Sequence, residues 1–290
     1  MKLLLKIIIG ICVYSSTCTA VECKLLISLK PIDLSEFSFY SSIIEQKDGK
    51  DVLKKEYSAI EKIDMNRMVY LSDGLKITGM LIKPKEKGVY PCIIYNRGGN
   101  RDFGNLSITD ALNLGQLAIQ GYVVIASNYR GGGGSEGRDE YGGRDINDVL
   151  NLLEVLKEVE GADIDKIGMY GWSRGGMMTY MALTKTSRIK AAVVGAAPSD
   201  LTKIERSSLE SNIYSRLIPN YWDNREEELK KRSAIFWVDK FPKNVPILLV
   251  HGNSDWRGKT EHALNLALEF DRHRIPYRLK IYDGADHGIT

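Results

Sequence analysis

Short apolar runs alternate with helix-spaced segments along the chain from about Met68 onward. Each run is bounded by glycine, proline or polar residues, which is the pattern of buried strands. The runs are PCIIYN, YVVIAS, KIGMYG, AAVVGA, PILLVHG and YRLKIYDG. Between them, four segments carry apolar residues three and four positions apart, which predicts helices near residues 107–119, 146–156, 175–185 and 260–272. Asp145 is placed to cap the second of these helices.

A hairpin precedes this alternation. The stretch MVYLSDGLKITGMLIKP predicts two antiparallel strands joined at Ser72, Asp73 and Gly74. Strands that alternate with helices predict an α/β domain with a mostly parallel, doubly wound sheet, so the hairpin becomes its antiparallel edge. We expect this domain to span residues 67–290, with a helical insertion at about 200–243. Residues 21–66 show no clear period and are expected to be an extension packed on the domain.

The stretch KIGMYGWSRGGMMTYMA places Ser173 between Gly171 and Gly175, where a strand becomes a helix. A residue at the tip of so tight a turn is pushed toward positive φ, and small residues on either side let the two arms approach. This is the spacing of the G-x-S-x-G nucleophile elbow of the α/β-hydrolase fold. The three letters alone also fit an ordinary loop with a serine N-cap, so the partners of Ser173 decide.

A serine nucleophile needs a general base. The chain has four histidines. His262 and His273 fall on a predicted helix, on its outer side, and His251 ends a strand. His287 follows the last strand, on a loop at the carboxyl edge of the sheet, where active sites of open α/β sheets lie. His287 is therefore the predicted base.

The base in turn needs an orienting acid between serine and histidine in chain order. Asp255 follows the strand PILLVHG and is the preferred candidate. Asp200, after AAVVGA one strand earlier, is the competing candidate. Asp283 and Asp286 are so near His287 in sequence that we expect them to shape its turn instead.

The oxyanion hole requires two hydrogen-bond donors. The elbow supplies the backbone N–H of Arg174. The second donor is expected in the loop after PCIIYN, from the N–H of Arg97 or Gly98 or from a side chain there, although a plain turn explains these glycines as well. The insertion is expected to cover the substrate pocket, with Tyr221, Trp222 and Trp237 as candidate lining residues.

Several separate segments resemble the catalytic domain of the prolyl oligopeptidase (S9-type) family of serine peptidases. They are HGNSDWRG, GYVVIASNYRGGGGSEG, YGGRDINDVLNLLEVLK and RSAIFWVDKF. The resemblance covers roughly Pro91 to His287. It implies Ser173 as nucleophile, Asp255 as acid and His287 as base, the same three residues that the order of the elements favours.

The chain departs from this family's pattern at three points. Members usually carry an N-terminal β-propeller, and no repeat array is present here. Their HGGP or tyrosine-containing oxyanion motif aligns with YNRGGN, so Arg97 stands where histidine or tyrosine is usual. The chain ends three residues after His287, where related domains continue into a helix, so we expect that helix to be missing.

Residues 1–20 have the order of a Sec signal peptide. Lys2 and Lys6 flank a leucine run, an apolar stretch follows, and small residues lead to Ala20. We expect cleavage there and an exported protein, periplasmic or secreted, with no stable membrane partner afterwards. An uncleaved N-terminal anchor is the alternative. Of the remaining cysteines, Cys23 and Cys92 either pair as a disulfide or stay as free thiols.

Charge and motifs limit the classes of expected binding partner. Cleavage of the predicted leader removes two lysines and lowers the net charge from +3 to about +1. This balance gives no reason to expect nucleic acid or an anionic membrane surface as a partner. Gly132, Gly134 and Gly137 match a dinucleotide fingerprint, but RDEYGG separates them from the next helix. We therefore expect no cofactor and no metal.

These observations predict a serine hydrolase that cleaves peptide or aminoacyl bonds through an acyl-enzyme intermediate. A carboxylesterase acting on small acyl esters, including esters on carbohydrate, uses the same machinery and remains open. A binding protein that kept a hydrolase scaffold is the third alternative, and the complete set of serine, acid and histidine argues against it. The expected partner is a small peptide or ester substrate.

Overall fold

The computed structural model describes residues 24–203 and 206–290. Nine strands form one sheet, and two more form a separate hairpin. The strands are β1 (Leu26–Pro31), β2 (Ile44–Lys47), β3 (Lys50–Leu53), β4 (Ile63–Ser72), β5 (Leu75–Pro84), β6 (Tyr90–Asn96), β7 (Val123–Ser127), β8 (Ala162–Trp172), β9 (Ile189–Gly195), β10 (Ile247–Gly252) and β11 (Tyr277–Tyr282). The predicted leader at residues 1–20 lies outside the described residues.

The large sheet has the order β1-β4-β5-β7-β6-β8-β9-β10-β11. From β7 to β11 every neighbouring pair is parallel, whereas β1, β4, β5 and β7 pair antiparallel. The predicted mostly parallel sheet with an antiparallel edge is confirmed. Parallel strands end at one edge, so the carboxyl ends of β6, β8, β10 and β11 are brought together there.

The β4–β5 hairpin forms at the predicted turn. Asp73 and Gly74 have φ values of 50° and 78°, the two positive values that a type I′ turn requires. β4 begins at Ile63, so the predicted division at residue 66 falls inside a strand. The segment before it also supplies β1, in which Leu29 pairs with Met68, so this segment extends the sheet itself.

The helices are short apart from three. They are α1 (Tyr40–Ile43), α2 (Ile108–Ile119), α3 (Ile146–Leu150), α4 (Leu152–Val155), α5 (Arg174–Leu183), α6 (Ser207–Leu209), α7 (Ser215–Leu217), α8 (Arg225–Lys231) and α9 (Glu261–His273). The three long ones, α2, α5 and α9, match predicted helices. The predicted helix after Asp145 forms as α3 and α4, which divide at Asn151.

Helices cover both faces of the sheet. Every residue of β7 is buried, because successive strand residues point to opposite faces. Ile125 packs in the cluster that contains Met177 of α5, and its neighbour Val124 packs in the cluster that contains Leu114 of α2. A strand that is apolar at every position is therefore explained by burial on both sides.

The predicted helical insertion is present between β9 and β10. It contains α6, a π-helical turn at Glu210–Tyr214, α7, α8 and two 3₁₀ turns. Among the described residues, no helix has the length and apolar character needed to span a membrane. Cys92 is buried in β6, and burial raises the pKa of its thiol to about 12. Its possible partner Cys23 lies outside the described residues.

Candidate active site

Ser173 stands at the sharp turn between β8 and α5. Its φ and ψ are 56° and −126°, a strained combination for a residue with a side chain. An added Cβ on Gly175 would lie well within 3.0 Å of the carbonyl oxygen of Asn96, and one on Gly171 would meet the carbonyl oxygen of Gly175 equally closely. The glycines on either side are required by close backbone packing, as the elbow pattern predicts.

Asp255 and His287 are brought together on the loops that follow β10 and β11. Nδ1 of His287 lies 2.7 Å from Oδ2 of Asp255, whose side chain has no exposed surface. The other carboxylate oxygen, Oδ1, accepts hydrogen bonds from the backbone N–H groups of Arg257 (2.8 Å) and Gly258 (3.1 Å). The carboxylate is thus fixed by its own loop and turned toward the imidazole.

The competing acid does not make this contact. The carboxylate of Asp200 accepts hydrogen bonds from the backbone N–H and the hydroxyl of Thr202. Asp286 binds the backbone N–H of Gly288 and both donors of Thr290. Asp283 binds the side-chain amide of Asn253. Asp283 and Asp286 therefore shape the loops around His287, as their positions predict.

A tryptophan that the sequence did not single out joins the histidine loop to the elbow. Nε1 of Trp172 donates a hydrogen bond of 2.8 Å to the backbone oxygen of His287. Trp172 directly precedes Ser173, so this bond fixes the histidine loop relative to Ser173. The only sequence signal for it is its position at the end of a strand.

His251 is a second imidazole on Asp255. Its Nε2 lies 2.9 Å from the carbonyl oxygen of Gly258 and 3.2 Å from Oδ2 of Asp255. A carbonyl oxygen only accepts, so Nε2 carries the proton. Nδ1 is buried with no hydrogen-bond partner among the described residues. His251 is therefore held as a donor beside the carboxylate.

The remaining histidines lie on α9, as predicted. His273 is on the exposed side of this helix. His262, in contrast, is buried at its start, where its backbone oxygen accepts a hydrogen bond from the hydroxyl of Ser199. The expectation that both lie on the outer side is corrected for His262.

The predicted oxyanion loop lies against the elbow. An added Cβ on Gly98 would stand 3.3 Å from Cβ of Ser173. The backbone N–H of Arg174 belongs to the first turn of α5, where N–H groups lack acceptors within the helix. The side chain of Arg97 is directed elsewhere, because its guanidinium donates to the carbonyl oxygens of Asn128, Gly98, Phe103 and Arg101. Burial lowers its pKa to about 10.

The side chain of Arg174 supports the site from behind. Its guanidinium is fully buried and binds the carboxylates of Asp139 and Asp145. Both carboxylate oxygens of Asp145 also accept the backbone N–H of Gly142. No side-chain hydrogen bond from Asp145 caps α3. The predicted N-cap role of Asp145 is therefore corrected, because its carboxylate binds the buried guanidinium of Arg174 instead.

A cavity of about 700 Å³ opens at this edge of the sheet, and Ser173, His287 and Gly98 all line it. This volume suits a small ligand. The first half of the insertion supplies one wall, through the residues Leu201, Lys203, Arg206, Leu209, Ile213 and Tyr214.

The three aromatic residues predicted to line the pocket lie elsewhere in the insertion. Tyr221 is buried with its hydroxyl on Glu210, and Trp222 is 67% exposed at its side. Trp237 stacks on Phe241 and lines a different cavity. The predicted pocket-lining role of these three aromatic residues is therefore corrected, because residues that precede them in the chain form the wall of the cavity.

The sequence model described as the prolyl oligopeptidase family, Peptidase_S9, matches residues 109–290. The chain belongs to the prolyl oligopeptidase family. This family places it among the serine hydrolases, and the resemblance carried by its separate segments is confirmed.

Individual relatives agree with this assignment. An uncharacterized peptidase of Bacillus subtilis, YtmA, is 29% identical over 233 residues, which are 79% of this chain and 88% of that protein. Dipeptidyl peptidase 8 of Mus musculus is 29% identical over 74% of this chain. Among solved structures, the Pyrococcus horikoshii acylaminoacyl peptidase superposes with a TM-score of 0.66 at 23% identity over 83% of this chain, which shows the shared fold.

The lengths of these relatives differ. The chain spans 25% of dipeptidyl peptidase 8 and 41% of the acylaminoacyl peptidase chain. The shared part is the α/β-hydrolase domain, so the substrates of those larger proteins are not carried over to this chain.

Proposed function

We propose that this protein is a serine peptidase that cleaves short peptides or aminoacyl derivatives through an acyl-enzyme. The observation that carries the proposal is the Asp255–His287 hydrogen bond at the edge of the cavity that Ser173 also lines. In the proposed reaction, Oγ of Ser173 attacks the substrate carbonyl and its proton passes to Nε2 of His287. Asp255 holds the imidazole with its proton on Nδ1.

The oxyanion intermediate would accept hydrogen bonds from the backbone N–H of Arg174 and from an N–H at Arg97 or Gly98. His287 then protonates the departing amine, and water releases the acyl group from Ser173 by the reverse sequence. The relatives and solved structures named above are peptidases, so they support amide cleavage and give no support to the carboxylesterase alternative.

A fluorophosphonate probe tests the nucleophile. We expect one stoichiometric label on Ser173, located by peptide mass mapping, and turnover of peptide amides lower by roughly 10³- to 10⁶-fold in Ser173→Ala. Ser58→Ala is the matched control, because Ser58 is exposed and its hydroxyl donates to a local backbone oxygen. Labelling at another residue, or full turnover in Ser173→Ala, contradicts the proposal.

We also propose export through residues 1–20, supported by the signal-like order of charged, apolar and small residues in the sequence. N-terminal sequencing of the protein recovered from its native cell fraction tests this. A mature chain that begins at Val21 is expected, and a retained Met1 in a cytoplasmic fraction contradicts it.

A further inference from the structure

The wall of the cavity that the insertion supplies contains the guanidinium of Arg206, which forms no ion pair with an acid among the described residues. Nε of Arg206 is buried and has no hydrogen-bond partner in the part of the chain that the structure describes. Its guanidinium carbon lies 5.7 Å from the centroid of the Trp256 ring. A buried donor without a hydrogen-bond acceptor costs free energy, so an acceptor supplied by a ligand would be favourable.

A second guanidinium lies at the same ring. The guanidinium carbon of Arg257 is 5.1 Å from the centroid of Trp256, and Arg257, Trp256 and Arg206 all line the cavity. Trp256 is 69% exposed, so the ring at which the two guanidinium groups lie is accessible from the solvent. Two cations held at one ring repel each other, and an anion between or beside them relieves that repulsion.

The other charges of the cavity wall do not neutralise this group. Arg174 is already paired with buried carboxylates, and Arg97 donates to backbone oxygens. The acids on the wall are also engaged. Asp110 forms the capping box of α2 with Ser107, and Asp200 binds Thr202. Lys203 and Arg257 line the cavity together with Arg206, so positive side chains outnumber Asp110 and Asp200 on its wall.

We propose that Arg206 binds a carboxylate of the substrate, so that the enzyme prefers acidic peptides. The planar guanidinium matches a carboxylate with two parallel hydrogen bonds, which makes arginine the usual residue for this task. The carboxylate has two possible sources, an acidic side chain beside the scissile bond or the free C-terminus of a short peptide. This inference rests on the proposed peptidase function, because it names the substrate class of the same site.

Matched substrate pairs test the proposal. One pair differs as Glu against Gln beside the scissile carbonyl, and a second pair differs as free C-terminal carboxylate against C-terminal amide. For the wild-type protein, kcat/KM for the charged member of one pair is expected to exceed that of its neutral partner by about 10-fold or more, the size of a charge-assisted hydrogen bond. The pair that shows the preference identifies the source.

Substitutions at Arg206 connect the preference to this residue. Arg206→Gln should reduce the charged-to-neutral ratio to about one, and Arg206→Lys should keep part of it, since it retains the charge without the planar fork. Arg67→Gln is the matched control, because Arg67 lies on β4 outside the cavity and pairs with Glu36, and it should keep the wild-type ratio. A wild-type ratio near one for both pairs, or an equal loss for charged and neutral substrates in Arg206→Gln, overturns the proposal.

A binding measurement separates this inference from the proposed function. Calorimetry with Ser173→Ala and the four substrate peptides requires no turnover, and tighter binding of the charged member must disappear in Ser173→Ala combined with Arg206→Gln. Equal binding of charged and neutral peptides overturns the carboxylate site even where Ser173 is labelled by the fluorophosphonate. If the label is absent while the preferential binding is intact, the assignment of Ser173 as nucleophile is refuted instead.

Discussion

The imidazole of His287 meets the carboxylate of Asp255 at 2.7 Å, although 32 positions separate the two residues in the chain. Each residue stands on the loop after one of two adjacent parallel strands, β10 and β11, so their separation in sequence is the length of one crossover through α9. The contact exists because parallel strands deliver their carboxyl ends to one edge.

Asp255→Asn is expected to reduce turnover by about 10² to 10⁴-fold, because an amide at this position favours the wrong histidine tautomer. Asp200→Asn is the matched control, since its carboxylate binds only Thr202 among the described residues, and its effect should stay within a few-fold. Steady-state kinetics with one peptide amide measures both variants. The reverse order of effects would assign the acid to the loop after β9.

Trp172→Phe is expected to lower kcat while leaving the fold intact. The substitution keeps an aromatic ring but removes the Nε1 donor that binds the backbone oxygen of His287. A neutral hydrogen bond contributes about 1 kcal/mol, so a loss of roughly 5-fold in kcat is expected, with little change in KM. The control is Trp222→Phe, because Trp222 is 67% exposed and outside the cavity. Equal kcat values for the two variants would show that the bond does not position the histidine loop.

Gly175→Ala is expected to destabilise the protein and abolish fluorophosphonate labelling. Its added methyl group would occupy the space of the Asn96 carbonyl oxygen, and a close-packed interior cannot shift enough to make room for it. We expect a loss of about 3 kcal/mol or more in the free energy of unfolding. Gly168→Ala, on the same strand as the elbow, has its nearest neighbour at 3.7 Å and should change the stability by less than about 1 kcal/mol. Denaturant unfolding compares the two, and similar midpoints would contradict the packing argument.

Asp139→Asn is expected to cost about 3 to 5 kcal/mol of stability, because it removes one partner of the buried guanidinium of Arg174. Burial alone would raise the pKa of Asp139, but the charge and hydrogen bonds of Arg174 hold it below its ordinary value of 3.8. The stabilisation from this carboxylate is therefore present above about pH 4 and is lost as the pH falls through the lower pKa of the folded state.

Unfolding free energies at pH 7 and at pH 3 test this prediction. The wild-type protein should lose more stability on acidification than Asp139→Asn does. Glu226→Gln, which breaks an exposed pair with Lys230 on α8, should change stability by about 0.5 kcal/mol or less at either pH. A neutral effect of Asp139→Asn would show that Asp145 alone satisfies Arg174.

The sequence by itself determined the strands, the long helices and the elbow. Its apolar runs and helical spacings are local patterns, and burial on one or both faces of a sheet explains each of them. Gly171, Ser173 and Gly175 could be recognised because a sharp turn restricts which residues fit. Asp255 and His287 could then be predicted as partners of Ser173, because both follow strands at the carboxyl edge of the sheet and lie in the expected chain order.

The tertiary structure decided what depends on contacts between distant segments. Asp145 looks like a helix cap in sequence, but the buried Arg174 takes its carboxylate, and only the packing of α5 beside the loop before α3 creates that pair. The aromatic residues of the insertion are the obvious pocket candidates in the sequence, yet the path of the chain places Trp237 at another cavity and Arg206 at the cavity that Ser173 lines. A local pattern records which residues prefer burial, whereas the neighbours that bury them are set by the whole fold.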